Sequence, residues 1–378
     1  MTGQRTYIIA GGGTGGHLYP ALAAAEQLGR LVPRAKIVFA CSSREIDRRI
    51  LDPMPYGVVS QPVRPLPRGP RGWPAFLKAW VASSLQARQM VRDLRPAAVL
   101  GTGGFAAAPL VKAAASRGIA TALLNPDAVP GKANLFLARR ADVIFTQFPA
   151  TLSAFPAGVR GKVRCVGCPV AERFLTATRA LAVERFALRG DRATLLVLGG
   201  SLGAASINDV LAALAADMTA LAEAWQVLHI TGPTKDQSPV GAGKQRDSGG
   251  DGATGPHAVR LEYCHQMELA YAAADLVLCR AGAATVAELA ATATPAVFLP
   301  YPYHKDQHQK LNAAPLAEAG AAVILQDRIS AAANAEMLRR ELIPLMQDSR
   351  RLAGMKRSAR ALCRPRAAAD VAAWLAER

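Results

Sequence analysis

The chain has 378 residues, and its 45 Lys and Arg against 28 Asp and Glu give a net charge of +17 and a pI near 10.1. This length favours two domains, and a hydrophobic fraction of 51% excludes a wholly disordered chain. No apolar run approaches the roughly 20 residues of a membrane-spanning helix. The positive charge suits nucleic acid, an anionic membrane surface or a phosphate-bearing ligand, so its placement must decide between them.

Short apolar runs alternate with helical patterns, which predicts βαβ units and parallel sheets. In the first half the predicted strands cover residues 7–10, 36–40, 97–100, 119–124, 143–145 and 163–166, and a helix covers 18–28. In the second half the predicted strands cover 193–198, 226–230, 276–279 and 296–299, and a helix covers 204–216. Each half opens with strand, Gly-rich turn and helix. We therefore predict an α/β fold of two Rossmann-like domains facing a central cleft.

The predicted domain boundary lies near Pro169, after a segment rich in turn residues. The N-terminal domain is predicted to cover residues 1–168 and the C-terminal domain 169–349. A C-terminal helix of about 350–378 is predicted to pack back on the first domain.

The first Gly-rich turn reads GGGTGGH over residues 11–17. Glycines let backbone N–H groups approach a ligand closely, and the N-terminus of the following helix attracts anions. The turn satisfies GxGxxG, but the next strand runs into Cys-Ser-Ser instead of an acidic residue, which argues against a nicotinamide cofactor. The alternative interpretation is that the glycines serve only helix–strand packing.

His17 begins the helix after this turn. Most isolated histidines are structural, and that alternative stays open. Beside a Gly-rich loop, a histidine is a candidate general base because imidazole titrates near neutral pH.

The second Gly-rich turn reads LGGSLGA over residues 198–204. Gly199, Gly200 and Ser201 place N–H groups and a hydroxyl at a helix start, which suits a diphosphate. The alternative role of Ser201 is a helix N-cap.

Two segments of the second half carry candidates for sugar binding. In RAGAATVAELA, residues 280–290, Glu288 could accept hydrogen bonds from two ribose hydroxyls, or form a capping box with Thr285. In the segment 300–313, Asp306, His308, Gln309 and Asn312 offer donors and acceptors suited to sugar hydroxyls. No set of His, Asp, Glu or Cys has metal-ligand spacing, so we predict chemistry without a metal or a cofactor.

The stretch 64–95 interleaves basic and aromatic residues. Its apolar members recur at helical spacing and share a face: Trp73, Phe76, Leu77 and Trp80. This composition favours docking on an anionic membrane. The alternative is an ordinary helix whose apolar face lies in the core.

Seven segments, in this order, resemble the MurG family, the inverting glycosyltransferases of the GT-B fold and of glycosyltransferase family 28. Together they span almost the whole chain: residues 11–23, 101–109, 130–139, 166–170, 198–208, 270–290 and 304–313. The resemblance implies transfer of N-acetylglucosamine from UDP-GlcNAc to the C4 hydroxyl of undecaprenyl-diphosphate-MurNAc-pentapeptide (lipid I), giving lipid II for peptidoglycan synthesis. It implies a peripheral protein at the cytoplasmic face of the cell membrane, and no nucleic-acid motif competes with it.

The resemblance also implies roles for matching residues. His17, helped by Asp127, is the expected base. The donor is expected to meet Thr14, Gly15, Gly16, Gly200, Ser201, Tyr263, Cys264, Thr285, Glu288, His308, Gln309 and Asn312. The acceptor is expected to meet Gly103, Gly104, Phe105, Asn125 and Asn134.

The sequence departs from the family pattern at the expected acceptor site. Leu124-Asn125-Pro126-Asp127 replaces His-Glu-Gln-Asn, and Phe105 replaces a tyrosine. Two other functions therefore stay open. One is a UDP-sugar-binding protein of weak or no activity, and the other is a related lipid glycosyltransferase with another donor or acceptor.

Overall fold

A computed structural model of the chain describes residues 4–67, 69–200, 203–232, 246–247, 257–303 and 306–378. The chain divides into two compact units. The first comprises Met1–Ala171 together with Arg364–Arg378, and the second comprises Glu172–Cys363.

The first unit is a parallel α/β domain. Its described strands, in the order β3-β2-β1-β4-β5-β6-β7, are β1 (Thr6–Ala10), β2 (Lys36–Ser42), β3 (Gly57–Gln61), β4 (Ala98–Gly101), β5 (Ala120–Asn125), β6 (Val143–Thr146) and β7 (Val163–Cys165). Its helices up to residue 171 are α1 (Gly15–Leu31), α2 (Glu45–Leu51), α3 (Trp73–Leu94), α4 (Gly104–Ala115), α5 (Lys132–Leu137) and α6 (Thr151–Ala154), with 3-10 turns at Pro70–Gly72 and Ala157–Lys162. The central strands are apolar and buried because helices cover both faces of the sheet.

The second unit repeats this architecture. Its described strands, in the order β10-β11-β9-β8-β12-β13-β14, are β8 (Ala193–Leu198), β9 (Trp225–Ile230), β10 (Arg246–Asp247), β11 (Ala258–Leu261), β12 (Leu276–Cys279), β13 (Ala296–Phe298) and β14 (Ala322–Ile324). Only the β10–β11 pair is antiparallel among these strands. The helices are α7 (Arg173–Thr176), α8 (Arg179–Phe186), α9 (Ala205–Ala213), α10 (Ala215–Ala220), α11 (Met267–Ala273), α12 (Ala283–Ala291), α13 (His308–Glu318), α14 (Ala331–Gln347) and α15 (Ser349–Ala361).

The chain end differs from the prediction of one helix over about 350–378. The structure has two helices there, and α15 packs on α12 and α14 within the second unit. Only the last helix, α16 (Ala367–Ala376), lies in the first unit, where it packs on α1 and places Trp374 edge-on against Phe145. Pro365 stands between the two helices, and a proline disfavours helical continuation through the residue before it.

The strand order of each sheet fixes where a ligand site can form. In doubly wound sheets, ligands bind where the order reverses, beyond the carboxyl ends of the strands. In the first unit this point lies between β1 and β4, and in the second between β8 and β12. Both Gly-rich turns follow a strand of such a pair, since the first follows β1 and the second follows β8.

The prediction of two α/β domains with parallel sheets is confirmed. Among the missed strands, β3 has a largely exposed pattern, and β11 and β14 are only 4 and 3 residues long. The predicted helix 204–216 is two short helices, α9 and α10, separated by Leu214.

Candidate active site

In the first unit, the turn after β1 is held by a buried carboxylate that the sequence analysis missed. Gly12 and Gly13 have φ values of 145° and 87°, which favour glycine. Asp47, on α2, is fully buried and accepts the Gly13 N–H at 2.7 Å and 3.0 Å. Its Oδ2 also accepts the backbone N–H of Ser42 at 3.0 Å and the Ser42 hydroxyl at 2.6 Å. The turn is therefore fixed by α2 as well as by its own strand.

His17 is partly exposed in the first turn of α1, and its tautomer follows from its contacts. Its Nδ1 lies 3.2 Å from the carbonyl oxygen of Gly12 and 3.3 Å from Oγ1 of Thr14. A carbonyl oxygen can only accept, so we assign the proton of the neutral ring to Nδ1. Nε2 then keeps its lone pair, which is the state that a general base requires.

Two glycines after β4 make room for this imidazole. Gly103 and Gly104 have φ values of 101° and 71°. A β-carbon at Gly103 would lie 3.1 Å from Nε2 of His17, and one at Gly104 would lie 2.6 Å from the Gly12 carbonyl oxygen. Two residues predicted at the acceptor therefore border His17. Phe105 follows them at the start of α4 and is exposed.

Thr14, Gly15 and Gly16, predicted at the donor, form the entry to α1. Thr14 is the exposed N-cap residue with extended backbone, and the helix begins at Gly15. Thr14 makes no side-chain capping bond, and its hydroxyl lies beside His17.

The departure at 124–127 forms a compact polar group at the end of β5. The side-chain amide of Asn125 donates to the backbone oxygen of Asp127 at 2.7 Å. The amide of Asn134, on α5, donates to Oδ1 of Asn125 at 2.9 Å and to the Leu124 carbonyl at 3.2 Å. Oδ1 of Asn134 is buried and has no hydrogen-bond partner in the described part of the chain.

In the second unit, the turn after β8 has room only for glycine at key positions. Gly200 and Gly203 have φ values of 86° and 72°. A β-carbon at Gly199 would lie 2.7 Å from both the Gly203 carbonyl carbon and the Ala204 β-carbon. The following helix, α9, has Ala204 as its N-cap residue. Ser201 itself lies outside the described residues.

Glu288 lies on α12, which follows β12 across the reversal point from β8. The hydroxyl of Tyr271 donates to its Oε2 at 3.0 Å. Burial raises the pKa of Glu288 to about 7, although the hydrogen bond from Tyr271 acts in the opposite direction. The capping-box alternative is wrong, because α12 begins at Ala283 with Gly282 as its N-cap and Thr285 already lies inside the helix. The carboxylate is left available for another partner.

A buried ion pair supports this edge of the second sheet, and the sequence analysis assigned it no role. Arg280, directly after β12, contacts Asp327 at 2.7 Å and donates to the Leu299 carbonyl at 2.6 Å. Ser206 donates to Asp327 at 2.7 Å, and Asn334 donates to it at 2.8 Å. Burial alone would raise the pKa of Asp327, but these hydrogen bonds and the Arg280 charge outweigh it and hold the pKa below its ordinary value. An arginine directly after a buried strand was the available signal.

The residues predicted at the transferred sugar begin α13. Nδ1 of His308 lies 2.8 Å from Oδ1 of Asp306, and Gln309 accepts the backbone N–H of Tyr301 at 2.8 Å. Asn312 is fully buried, and its amide donates to the Ala281 carbonyl at 3.3 Å, which ties α13 to the segment before α12.

Tyr263 and Cys264, predicted near the uracil, lie in the turn after β11. The Tyr263 ring packs edge-on against His265 at 4.7 Å between ring centroids. The Cys264 side chain is buried, and burial raises the pKa of its thiol to about 11.

The apolar residues predicted to share a face of α3 differ in their exposure. The buried residues of this helix are Ala79, Ser83, Ala87, Met90 and Val91. Trp73 and Leu77 are 44% and 53% exposed. Trp80 is partly buried against Phe76, Phe136 and the ammonium of Lys112. The core-facing alternative therefore describes Trp80, which packs against a core cluster of the first unit, but it does not describe the exposed Trp73 and Leu77.

Exposed apolar residues continue along α3 beyond the predicted set. Val81 and Leu85 are 55% and 59% exposed, and with Trp73 and Leu77 they recur every four residues. None of the described helices combines the length and apolar character needed to cross a membrane. No group of three or more His, Cys, Asp or Glu in the described ranges is placed to hold a metal ion.

Comparison with known proteins identifies the class of the fold and site. Glycosyltransferase family 28 matches twice, its N-terminal domain over residues 7–146 and its C-terminal domain over residues 194–371. A crystal structure of Acinetobacter baumannii MurG aligns with a TM-score of 0.71 and 26% identity, covering 99% of this chain and 100% of that one. The protein is thus a glycosyltransferase with the two-domain architecture of the GT-B class.

Curated relatives narrow the class further. A protein of Chlorobaculum parvum is 38% identical over 371 residues, 97% of each chain, and one of Desulforamulus reducens is 34% identical over 366 residues, 96% of each. Both are named UDP-N-acetylglucosamine–N-acetylmuramyl-(pentapeptide) pyrophosphoryl-undecaprenol N-acetylglucosamine transferase. The chain belongs to the MurG family of glycosyltransferase family 28.

Proposed function

We propose that the protein transfers N-acetylglucosamine from UDP-GlcNAc to the C4 hydroxyl of lipid I and so produces lipid II for peptidoglycan synthesis. The observation that carries this proposal is near full-length identity of 34–38% with relatives of that name. The tautomer of His17 and the availability of Glu288 fit the same reaction, since transfer needs a proton acceptor and a ribose ligand.

The proposed reaction is a single displacement with inversion at the anomeric carbon. Nε2 of His17 takes the proton of the acceptor hydroxyl as its oxygen attacks, and the bond from the anomeric carbon to UDP breaks. Asp127 is the second polar group proposed at the acceptor. The imidazolium that forms keeps its Nδ1–H bond to the Gly12 carbonyl, so proton transfer needs no rotation of the ring.

The proposed donor site lies in the second unit, at the reversal point of its sheet. Backbone N–H groups around Gly200, with the Ser201 hydroxyl, are proposed to hold the diphosphate, where charge develops as UDP departs. Glu288 is proposed to accept the ribose hydroxyls, beside Thr285 on the same helix.

The other proposed donor contacts bind uracil and the transferred sugar. The turn of Tyr263 and Cys264 is proposed to meet uracil, and α13 is proposed to meet the sugar through His308, Gln309 and Asn312. Thr14, Gly15 and Gly16 are also proposed to bind the donor.

The proposed acceptor site lies in the first unit beside His17. Gly103 and Gly104, which border His17, and Phe105, which follows them, are proposed to meet the acceptor. Asn125 and Asn134, at the end of β5 and on α5, are proposed as further acceptor contacts. Asn125 holds Asn134 in place through its own amide oxygen.

One assay separates this function from its alternatives. Purified protein is incubated with radiolabelled UDP-GlcNAc and a lipid I analogue, and the disaccharide product is resolved by chromatography. The proposal expects label in the disaccharide. UDP-GlcNAc binding without product would instead support a sugar-binding protein, and transfer only from another UDP-sugar or to a diacylglycerol would support a different lipid glycosyltransferase.

We also propose that the exposed face of α3 docks the protein on the cytoplasmic face of the cell membrane, as a peripheral protein. The face combines the exposed Trp73 and Leu77 with exposed basic side chains, among them Arg71, Lys78 and Arg88. Apolar groups would enter the interface while the cations meet anionic headgroups. Lipid I, the proposed acceptor, lies in that membrane.

Changing Trp73 and Leu77 together to alanine is expected to lower partitioning onto anionic vesicles by about ten-fold or more, because burying each large apolar side chain contributes about 1.5–3 kcal/mol. Flotation with phosphatidylglycerol-containing vesicles measures the effect, and purely zwitterionic vesicles test the part played by charge. The matched control changes Leu175 and Leu181, which are 41% and 56% exposed in the second unit. Equal flotation of the α3 variant and the control would contradict the proposal.

A further inference from the structure

Asp47 touches the same peptide group that holds His17. The N–H of Gly13 and the carbonyl of Gly12 belong to one peptide unit. Asp47 accepts the N–H of that unit at 2.7 Å, and the carbonyl of the unit accepts Nδ1–H of His17 at 3.2 Å. A carboxylate, a peptide and an imidazole thus form a continuous chain of hydrogen bonds.

The carboxylate at the start of this chain is ionised. Asp47 is fully buried, and its hydrogen bonds come from the Gly13 N–H, the Ser42 N–H and the Ser42 hydroxyl. The two N–H groups can only donate, and the hydroxyl donates at 2.6 Å, which is the short distance of a charge-assisted bond. A negative charge is therefore fixed beneath the turn that carries the catalytic histidine.

We propose that Asp47 is a positioning residue for the transfer reaction, acting on His17 through the Gly12–Gly13 peptide. Its charge polarises the peptide along the N–H to C=O direction, which strengthens the carbonyl as an acceptor. That carbonyl fixes the Nδ1–H tautomer and stabilises the imidazolium formed when Nε2 takes the acceptor proton. The inference rests on the proposed function, since it concerns the base of that reaction.

The local backbone fits this role. The Gly12 φ of 145° is needed for the turn, and a β-carbon at Gly12 would clash with Oδ2 of Asp47. The carbonyl of Gly13 accepts the Arg44 guanidinium at 3.0 Å, so Arg44, just before α2, and Asp47, on α2, both hold this turn. Gly104 also approaches the Gly12 carbonyl closely, since a β-carbon there would lie 2.6 Å from its oxygen. The histidine is therefore held by backbone that the protein keeps in one orientation.

The test uses Asp47→Asn, which keeps the size of the side chain and removes its charge. We expect kcat with UDP-GlcNAc and a lipid I analogue to fall by about 10- to 100-fold, which is part of the full effect of a general base. The KM for UDP-GlcNAc should change less than kcat, by no more than about three-fold, because the proposed contacts to uracil, ribose and diphosphate lie in the second unit, although Thr14, Gly15 and Gly16 adjoin this turn. Asp142→Asn is the matched control, because Asp142 also accepts a backbone N–H and a hydroxyl, both from Thr121, and lies away from the turn. That control should keep kcat.

A second measurement does not depend on turnover. Nitrogen-15 shifts of labelled histidine distinguish a protonated from an unprotonated ring nitrogen, and His17→Gln assigns the His17 signals. Above the pH at which the ring is neutral, the wild-type protein should show Nδ1 protonated and Nε2 unprotonated, and Asp47→Asn should show a mixture of the two tautomers. A wild-type His17 that is protonated at Nε2 overturns the inference without any Asp47 variant, even if that variant fails to fold.

The outcomes separate this inference from the proposed function. A wild-type protein that produces no disaccharide overturns the proposed function, while the nitrogen-15 spectra still test the hydrogen-bond chain. Normal kcat in Asp47→Asn overturns the inference and leaves the function intact. A lower kcat with unchanged His17 shifts also overturns it, because the loss would then come from the turn alone.

Discussion

Replacement of His17 by alanine is expected to lower kcat by about 10²- to 10⁴-fold, the usual contribution of a general base. The KM for UDP-GlcNAc should stay within about three-fold of the wild type, because the change removes a transition-state interaction and leaves the donor site intact. Steady-state rates at saturating lipid I analogue, over a range of UDP-GlcNAc concentrations, separate the two constants. The variant should fold normally, since His17 is partly exposed and its ring hydrogen-bonds to Gly12 and Thr14 of the first turn.

The control for this prediction is His257→Ala. The His257 side chain hydrogen-bonds to the Ala187 carbonyl at 3.0 Å, in a part of the second unit with no proposed role, and alanine keeps the backbone oxygen that accepts the Val227 N–H. A His17 variant that keeps more than a tenth of wild-type kcat would show that another group accepts the proton, and Asp127 would be the first to test. Gly103→Ala offers a steric version of the same experiment, because its added carbon would press against Nε2.

The sequence predicts the fold well where strands are apolar on both faces. β1, β4, β8 and β12 are nearly continuous buried runs, which is the pattern of a parallel sheet covered by helices. β3 escapes this rule because it is an edge strand with an exposed pattern, Gly-Val-Val-Ser-Gln. The split of the chain end into α15 and α16 depends on tertiary contacts, since Pro365 by itself does not say which unit each helix joins.

The sequence predicts the parts of the candidate site that depend on unusual backbone conformations. It does not predict the parts that depend on which charged side chains become buried. The two glycine turns are visible in the sequence because positive φ favours glycine. Asp47 is not visible, because it lies in the charged segment Ser-Arg-Glu-Ile-Asp-Arg-Arg, which is typical of a solvated helix. The order of the strands places α2 beneath the first turn, and this packing buries Asp47.

For Glu288 the sequence allowed two roles, ribose binding and a capping box with Thr285, and the position of the helix start excludes the capping box. A helix starting after Thr285 would have made a capping box. The helix begins earlier, so no backbone N–H at its start is paired with Glu288, and the carboxylate instead accepts the Tyr271 hydroxyl. A partly buried carboxylate with a raised pKa and one donor is suited to a ligand that brings further donors.

We expect the binding of UDP-GlcNAc to depend strongly on pH. Burial raises the pKa of Glu288 to about 7, and only its ionised form can accept two ribose hydroxyls. Affinity for UDP-GlcNAc should therefore be constant above pH 7 and fall by about ten-fold for each pH unit below it. UDP-GlcNAc is the proper ligand, because its diphosphate is a diester with no ionisation near neutral pH. Isothermal titration calorimetry between pH 5.5 and about 8.5 measures the curve.

Glu288→Gln separates the ionisation of Glu288 from that of the other ionisable groups of the protein. The amide cannot ionise, so the variant should bind UDP-GlcNAc about 100-fold more weakly at pH 8, consistent with the loss of hydrogen bonds to a charged group. Any pH dependence of binding that remains in the variant belongs to other groups.

The folding stability of the unliganded protein should depend on pH in the opposite direction from donor affinity. Because the folded-state pKa is raised, the folded chain binds more protons than the unfolded chain between the ordinary value of 4.5 and about 7, so stability falls as pH rises through that window. Thermal unfolding of wild type and Glu288→Gln across the window tests this, and identical pH dependence in the two proteins would rule out Glu288 as the titrating group.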